Sequence, residues 1–460
     1  MLALPGVILL IIFIYGRPQE WDERFENLPF LYLWLGLAFM GMGIDMAMNR
    51  VRLKATPQLR WAIVVYLWCV FTLGFRNPAE FSEGFVSISV TFVLFFLIGH
   101  SVEGFRAFQK LATTVLIMGL FVAGVAVHQG FSSWQCLAVA ETIGGSRGES
   151  GIPDGRSCEV RADCREGPGA DPDVEYLCER VGLFKTTTIN GRVRWRGVLQ
   201  DPNELALTSG IVLPFSFALF EQKRSFTRAL MVLASLLVIA TAIILTQSRG
   251  GQLVFATVLG VYFVKKYGVR GALFGLVFAA PLMLLGGRGG DEADESAGER
   301  TEILSEGLKI YRMFPLMGAG FRQFTEHHWL TAHNAYLLAL AELGPLGMFA
   351  WTAMIYLTLK ISLTALKRYE HGAQFATIRA WAMAMMAGFC GMMVGIFFLS
   401  FTYHYVLWIY FGLAGSFYCA VKSVDPTFSV QLDKRDVYRL ILADVGLMLA
   451  IFAYTKHKGY

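Results

Sequence analysis

A histidine stands where a polar stretch of the chain gives way to an apolar one. His333 and Asn334 open an apolar segment that runs to residue 359, and the polar residues before them include Arg300 and Arg322. Nearby arginines favour the neutral form of an imidazole, which can then accept a proton. His333 is therefore either a general base acting on an anionic substrate or a hydrogen-bonded structural residue.

Further arginines could bind an anion. Arg249 lies in the turn 246–251 between two apolar segments, where a charge that is not readily lost needs a compensating anion or carboxylate. Arg194 and Arg196 precede Asp201-Pro202, a cap and first-turn proline that predict a helix start. Bidentate phosphate binding is the functional interpretation of these arginines. Salt bridges, or anchoring of a Trp–Arg cluster at a membrane surface, are the structural alternatives.

The composition tells which elements must position these residues. Of the 460 residues, 55% are hydrophobic and 16% are charged, and the mean hydropathy is +0.50. A soluble chain of this kind would expose large apolar patches. Apolar runs that suit membrane-crossing helices occur at 1–15, 30–48, 59–76, 84–100, 110–127, 203–220, 228–246, 250–264, 270–287, 333–359, 379–400, 403–421 and 438–454.

These runs predict an all-α fold, a polytopic transmembrane helical bundle of about 12–13 spans. Lysines and arginines concentrate in alternate short connections, which should therefore face the cytoplasm. The net charge of +5 thus indicates membrane orientation and no nucleic-acid partner. The predicted organisation is transmembrane helices at 1–127, an outer loop at 128–202, helices at 203–287, an outer loop with an amphipathic helix at 288–332, and helices at 333–460.

Four of the seven cysteines lie in the first outer loop: Cys136, Cys158, Cys164 and Cys178. Four cysteines in a loop on the oxidising side of a membrane predict two disulfides. A zinc site is the alternative, but no histidine lies among these cysteines and no Cys-x-x-Cys motif occurs there. The pairing stays open at this point.

The spacing that follows the histidine resembles a known family signature. His333-Asn334, nine residues and then Gly344-Pro-Leu-Gly347 are similar to the motif of the O-antigen ligase and Wzy-type polymerase superfamily. The resemblance extends upstream through residues 197–206, through Ser248-Arg-Gly-Gly251, and through Arg300 followed by residues 315–320.

This resemblance implies a bacterial inner-membrane glycosyltransferase whose active site faces the periplasm. Its donor would be a glycan on undecaprenyl diphosphate, with no cofactor, metal or nucleotide sugar. The expected catalytic residues are His333, Arg249 and Arg300. The expected substrate-binding residues are Arg194, Arg196, Asn203, Arg322 and Asn334.

The acceptor separates the functions within this superfamily. A ligase transfers the glycan to lipid A–core, a polymerase to another lipid-linked repeat unit, and other relatives to protein hydroxyls. We favour the ligase over the polymerase. A transporter of lipid-linked glycan is the alternative from another class, and it predicts ionisable residues in the middle of spans along a pathway.

Overall fold

The computed structural model describes residues 2–25, 28–101, 103–139, 151–171, 173–196, 199–273, 275, 277 and 291–460. Fifteen helices make up most of these residues. They are α1 Ala3–Gly16, α2 Phe30–Ala47, α3 Leu59–Arg76, α4 Phe81–His100, α5 Phe105–Gly130, α6 Arg161–Glu166, α7 Pro202–Gly210, α8 Leu213–Gln222, α9 Phe226–Thr246, α10 Arg249–Tyr267, α11 Asp291–Met313, α12 Ala335–Arg368, α13 Ala376–Gly395, α14 Tyr405–Val424 and α15 Lys434–His457.

The predicted polytopic helical bundle is confirmed. Within the described residues, ten helical segments are long and apolar enough to cross a membrane, and they correspond to ten of the predicted spans. Of the other three, 1–15 largely overlaps the 14-residue α1, 250–264 lies within α10, and 270–287 falls largely outside the described residues. The predicted span 203–220 consists of α7 and α8, which break after Gly210.

Successive spans alternate in direction, and this alternation gathers several helix ends on one side of the bundle. The starts of α7, α10 and α12 lie there together with the ends of α9, α13 and α15. The region 131–201 attaches at the same side, where the Val193 N–H donates to Leu245 O and the Arg192 Nε–H to Thr246 O. We call this side the loop end.

A small sheet in region 131–201 is an addition that the all-α prediction did not include. Strands β1 Trp134–Val139, β2 Ile152–Ser157 and β3 Glu175–Arg180 pair antiparallel in the order β2-β1-β3. The β2 segment, Ile-Pro-Asp-Gly-Arg-Ser, lacks the alternation of apolar and polar residues that identifies a strand in a sequence.

Two disulfides hold this sheet region together, as the sequence predicts. Cys136 bonds Cys164, and Cys158 bonds Cys178. Within the described part of the chain, one group of side chains is arranged closely enough to hold a metal ion, and it consists of Cys136, Cys158 and Cys164. Metal binding by cysteine requires the thiolate, so the disulfides take the place of the zinc alternative.

The predicted amphipathic helix is present in α11 and ends before Pro315. Its apolar side chains pack against α12 and α15. Ile303 and Ile310 belong to a buried cluster with Leu338, and Leu308 packs with Ile451. Helix α11 is therefore fixed to two membrane helices at the loop end.

Candidate active site

A cavity of about 470 Å³ opens at the loop end. Polar side chains from four separate segments line one part of it, and apolar side chains of α11 and α15 line another. We call it the first cavity. It brings together five of the predicted site residues: Asn203, Arg249, Arg300, His333 and Asn334. All three predicted catalytic residues thus share one space.

His333 lies in a short connection that is hydrogen bonded to the turn between α13 and α14. Its backbone adopts a φ of 46°, a left-handed conformation that is uncommon for a residue with a side chain. Its N–H donates to Ser400 Oγ at 2.9 Å, and Thr331 Oγ1 lies 2.7 Å from the same oxygen. Ser400 therefore fixes the backbone on which the histidine is carried.

Asn334 begins α12 directly behind the histidine. Its Oδ1 accepts the Leu337 N–H at 2.9 Å, which caps the helix, and its Nδ2 donates to Phe397 O at 3.0 Å. The side chain is almost fully buried. Because both polar atoms bind backbone groups, Asn334 orients the start of α12, and any contact with substrate would compete with these bonds.

A break in α12 ends the family-like motif. Gly344 has a φ of 66°, and Pro345 has no N–H with which to continue the helical ladder to Ala341. The carbonyls of Ala341 and Glu342 accept the backbone N–H groups of residues 319–320 instead, at 2.8 and 2.9 Å. The Gly-Pro pair thus exposes carbonyls that hold the turn following α11.

Glu342 adds a second anchor for that turn. Its carboxylate, 2% exposed, accepts the N–H groups of Arg322 at 3.1 Å and Phe324 at 2.9 Å. The nine residues between Asn334 and Gly344 correspond to about 14 Å of helix. His333 therefore stands at the start of the motif. The end of the motif, around Glu342 and Gly344, fixes the turn that follows α11, the helix that bears Arg300.

Arg249 is the first residue of α10, which Ser248 caps by accepting the Gly251 N–H at 3.0 Å. The same Ser248 hydroxyl donates to Asn203 Oδ1 at 2.6 Å and so ties α10 to the start of α7. At Gly251 a β-carbon would overlap Ala206 of α7, and glycine lets the two helices approach closely. A helix N-terminus beside a guanidinium group favours an anion.

Arg300 is half-buried on α11, on the side that faces α15. Its neighbour Thr301 is buried, and Thr301 Oγ1 lies 3.4 Å from the Tyr454 hydroxyl of α15. Because α11 packs on both α12 and α15, the position of Arg300 relative to His333 is set by helix packing.

The pKa of His333 lies below its ordinary value of 6.5. Burial is the largest cause, since desolvation disfavours the charged imidazolium. The positive charges of Arg300 and His328 lower the pKa further, and the carboxylate of Asp201 opposes them. The imidazole is therefore neutral near pH 7, as a general base must be.

Arg194 and Arg196 line a different cavity, next to the sheet region. Arg194 is buried, and its Nε–H donates to Thr187 O at 3.0 Å. The Arg196 guanidinium donates to the carbonyl oxygens of Glu20 at 2.7 Å and Phe184 at 3.0 Å, and to that of Lys185. These two arginines join segments of the chain near the sheet.

Arg322 is also outside the residues that line the first cavity. Its side chain is half-exposed, and its guanidinium lies 3.5 Å from the Glu83 carboxylate. Of the five predicted substrate-binding residues, the structure thus brings Asn203 and Asn334 to His333 and places the three arginines elsewhere.

Sequence reasoning missed several side chains of the first cavity. Phe397 and Phe398 come from the turn after α13, and Tyr454 comes from the last helix. Phe397 and Phe398 lie in an unbroken apolar run, which gives no signal of a site. Tyr454 could have been suspected from the predicted topology alone, which places the end of the last span on the same side as His333.

Part of the chain matches a known protein family. Residues 233–352 match the family model described as O-antigen ligase. The matched range contains Arg249, Arg300, His333 and the Gly344-Pro345 break, whereas Asn203 precedes it. No curated protein matches the chain. Residues 233–352 are therefore similar to the O-antigen ligase family, and the match confirms the resemblance to the O-antigen ligase and Wzy-type polymerase superfamily over this part of the chain.

Proposed function

We propose that the protein is a membrane glycosyltransferase that moves a glycan from undecaprenyl diphosphate to an acceptor hydroxyl, acting as an O-antigen ligase with lipid A–core as acceptor. The observation that carries the proposal is the meeting of Arg249, Arg300 and a neutral His333 in one cavity at the end of a membrane bundle. The pattern of lysines and arginines in the loops supports an inner-membrane protein whose loop end faces the periplasm.

The arginines suit the diphosphate of the donor. One guanidinium group can bind two phosphate oxygens at once, and it stabilises the negative charge that grows on a departing diphosphate. The described lining of the first cavity includes Arg249 and Arg300 and no carboxylate side chain. The Asp201 carboxylate, which raises the pKa of His333, is not part of this lining. An anion bound in the cavity would meet two guanidinium groups, and the proposal needs neither a metal nor a cofactor.

An apolar groove supports a lipid-linked donor. The groove, of about 720 Å³, lies between α11, α12 and α15 and is lined mostly by apolar side chains. It adjoins the first cavity: on α11, Leu304 lines the cavity and Leu308 the groove, and on α15, Ile451 lines the cavity and Met448 the groove. A polyprenyl chain in this groove would hold its diphosphate at the arginines.

His333 then acts on the acceptor. The acceptor hydroxyl oxygen attacks the anomeric carbon, and the imidazole takes the hydroxyl proton as the new C–O bond forms. The bond from the anomeric carbon to the diphosphate oxygen breaks, and the electron pair leaves with the diphosphate beside Arg249 and Arg300. Attack opposite the leaving group inverts the anomeric configuration.

A transfer assay with purified protein in lipid nanodiscs tests the proposal. The donor is an undecaprenyl-diphosphate-linked glycan, and the acceptors offered in turn are rough lipopolysaccharide and a second lipid-linked repeat unit. A ligase gives one discrete shift of the lipopolysaccharide band, and His333→Ala should lower the rate about 10²–10⁴-fold. Full activity in a normally folded His333→Ala protein would refute the proposed role of this residue.

The alternative, a Wzy-type polymerase, uses the same donor, and the first cavity supports it equally. In the same assay a polymerase would give a ladder of products from lipid-linked repeat units. A glycan transporter has less support because three carboxylates within the described spans are hydrogen bonded to the protein: Asp45 to the Ala3 N–H at 3.1 Å, Asp444 to the Thr352 hydroxyl at 2.8 Å, and Glu342 to two backbone N–H groups.

A further inference from the structure

A second cavity, of about 700 Å³, lies at the loop end between the segment after α1 and the sheet region. Its polar lining mixes groups of both charges with amides. The carboxylates of Glu20 and Asp22 accept hydrogen bonds from Arg17 and Arg24 and have further acceptor positions. Lys185 can only donate hydrogen bonds, and Gln200 can both donate and accept them. Sugar hydroxyls also both donate and accept, so this lining suits a saccharide better than a phosphate group.

The walls of the second cavity are held by hydrogen bonds that cross between segments. The Trp195 Nε1–H donates to Tyr15 O at 2.7 Å, and Arg196 binds carbonyls on both the α1 side and the sheet side. Glu179 of β3 accepts the N–H groups of Asn190 and Gly191 at 2.7 and 3.1 Å. Together with the two disulfides, these hydrogen bonds hold the walls of the second cavity in place before any ligand binds.

An apolar groove of about 440 Å³ meets this cavity at Trp21. We call it the aromatic groove. It follows α1 and α5 away from the loop end and is lined by residues such as Leu9, Ile117 and Phe121. Trp21 lines both spaces, its ring centroid lies 4.6 Å from that of Phe184, and its Nε1–H donates to Gly16 O at 3.0 Å. Tryptophan is typical of such boundaries between apolar and wet surroundings.

We infer that the second cavity and the aromatic groove together bind the acceptor as an acylated glycolipid, with its sugars in the cavity and an acyl chain in the groove. The continuity of a polar cavity with an apolar groove selects this ligand, because a free saccharide would leave the groove empty and a plain lipid would leave the polar groups unused. The inference rests on the proposed function, since it names the site from which the acceptor reaches His333.

The two cavities lie on either side of one short strip of chain. Gln200 lines the second cavity and Asn203 lines the first, and three residues span at most about 11 Å. Arg192, further upstream, donates to Asn203 Oδ1 at 3.4 Å. The two cavities are therefore neighbours, and the proposal places the acceptor in the second cavity and the donor in the first.

Equilibrium binding of one glycolipid at a time tests the site on full-length protein in nanodiscs. The probes are rough lipopolysaccharide, an undecaprenyl-diphosphate-linked repeat unit, and lipid A without core sugars. Ile117→Trp fills the aromatic groove at a position that is 57% exposed, so the substitution disturbs little packing, and Leu237→Trp, at 58% exposure on α9, is the matched control. Trp21→Ala tests the junction.

We expect Ile117→Trp and Trp21→Ala to raise the Kd of rough lipopolysaccharide about tenfold, while Leu237→Trp changes it less than twofold. The inference is overturned if Ile117→Trp and Leu237→Trp act alike on rough lipopolysaccharide, if the effect is seen only with the undecaprenyl-diphosphate-linked repeat unit, or if lipid A without core sugars binds as tightly as rough lipopolysaccharide. The proposed function fails separately, when the wild-type protein transfers glycan to neither acceptor.

Discussion

The two cavities at the loop end are built from similar residue types and differ in how the arginines are used. In the first, Arg249 and Arg300 stand on helices, and the described lining has no carboxylate. In the second, Arg194 and Arg196 bind backbone carbonyls, and Glu20 and Asp22 share the wall. The same side chain therefore favours an anion in one place and joins two chain segments in the other.

Secondary structure explains this difference. Arg249 begins α10 and Arg300 stands on α11, so helix packing places both residues at the first cavity. Arg196 lies instead beside the short 3₁₀ helices at 18–20 and 183–185, whose carbonyls it binds, and a guanidinium with five donors can satisfy several carbonyls at once. An arginine beside such short helical turns thus takes a structural role.

Substituting arginines in matched positions should give the largest effect. Arg300→Ala removes a guanidinium that faces the proposed diphosphate, and we expect kcat/KM for glycan transfer to fall about 10²–10³-fold. Arg322→Ala removes a half-exposed guanidinium whose partner is Glu83, and the rate should change less than threefold, as expected of a surface ion pair.

Transfer rates of both variants, measured at equal amounts of folded protein, check this prediction. Size-exclusion profiles in detergent serve as the folding control. Equal losses of transfer rate in both variants would show that the diphosphate does not bind specifically at the first cavity. A loss of rate confined to Arg322→Ala would place the diphosphate at Arg322 instead of Arg300.

Arg196 should affect stability more than chemistry. Arg196→Ala leaves the carbonyls of Glu20, Phe184 and Lys185 without their donor, and we expect a loss of about 1–3 kcal/mol. Thermal unfolding should show a lower Tm, while kcat of the remaining folded protein stays close to the wild-type value. A normal Tm combined with a large fall in kcat would instead place Arg196 at the reacting groups.

The disulfides allow a test of the sheet region by itself. Replacing Cys158 and Cys178 together by serine removes one cross-link over 20 residues, which should destabilise this region by about 2–4 kcal/mol. We expect faster hydrogen exchange in β3 and a higher KM for the acceptor, with kcat maintained. A change in donor KM alone would contradict the division of roles between the cavities.

The sequence predicts the parts of this molecule that depend on composition and local order. Hydropathy is sufficient for the spans because a bilayer demands long apolar helices. Four cysteines in one outer loop are sufficient to predict two disulfides but leave their pairing open, since pairing depends on how β1 and β3 meet. The tertiary fold supplies that information.

The site could be predicted only in part for the same reason. Sequence spacing singled out His333, but it could not separate Arg249 from Arg196, because the difference lies in contacts with segments more than 150 residues away, such as that of Arg196 with Glu20. Ser400 and Tyr454 went unnoticed because each reaches the site from a distant helix end.

The smallest predicted effect concerns pH. Because burial and neighbouring positive charge lower the pKa of His333, the neutral base persists below pH 6.5, and the acid limb of kcat/KM should have its midpoint below that value. His328→Asn removes one of the positive charges and should move the midpoint upward. The asparagine side chain can also hydrogen bond with the backbone of Leu330, which lies 3.1 Å from His328 Nδ1.

The neighbouring histidine supplies the control for this shift. His327 is exposed, its ring lies 5.5 Å from that of Phe314, and it is not among the groups that move the pKa of His333, so His327→Asn should leave the acid limb in place. The shift from His328→Asn should be modest, since burial is the larger cause and is unchanged. A downward shift, or the same shift in both variants, would mean that the limb reports a group other than His333, and the first cavity would then lose its proposed base.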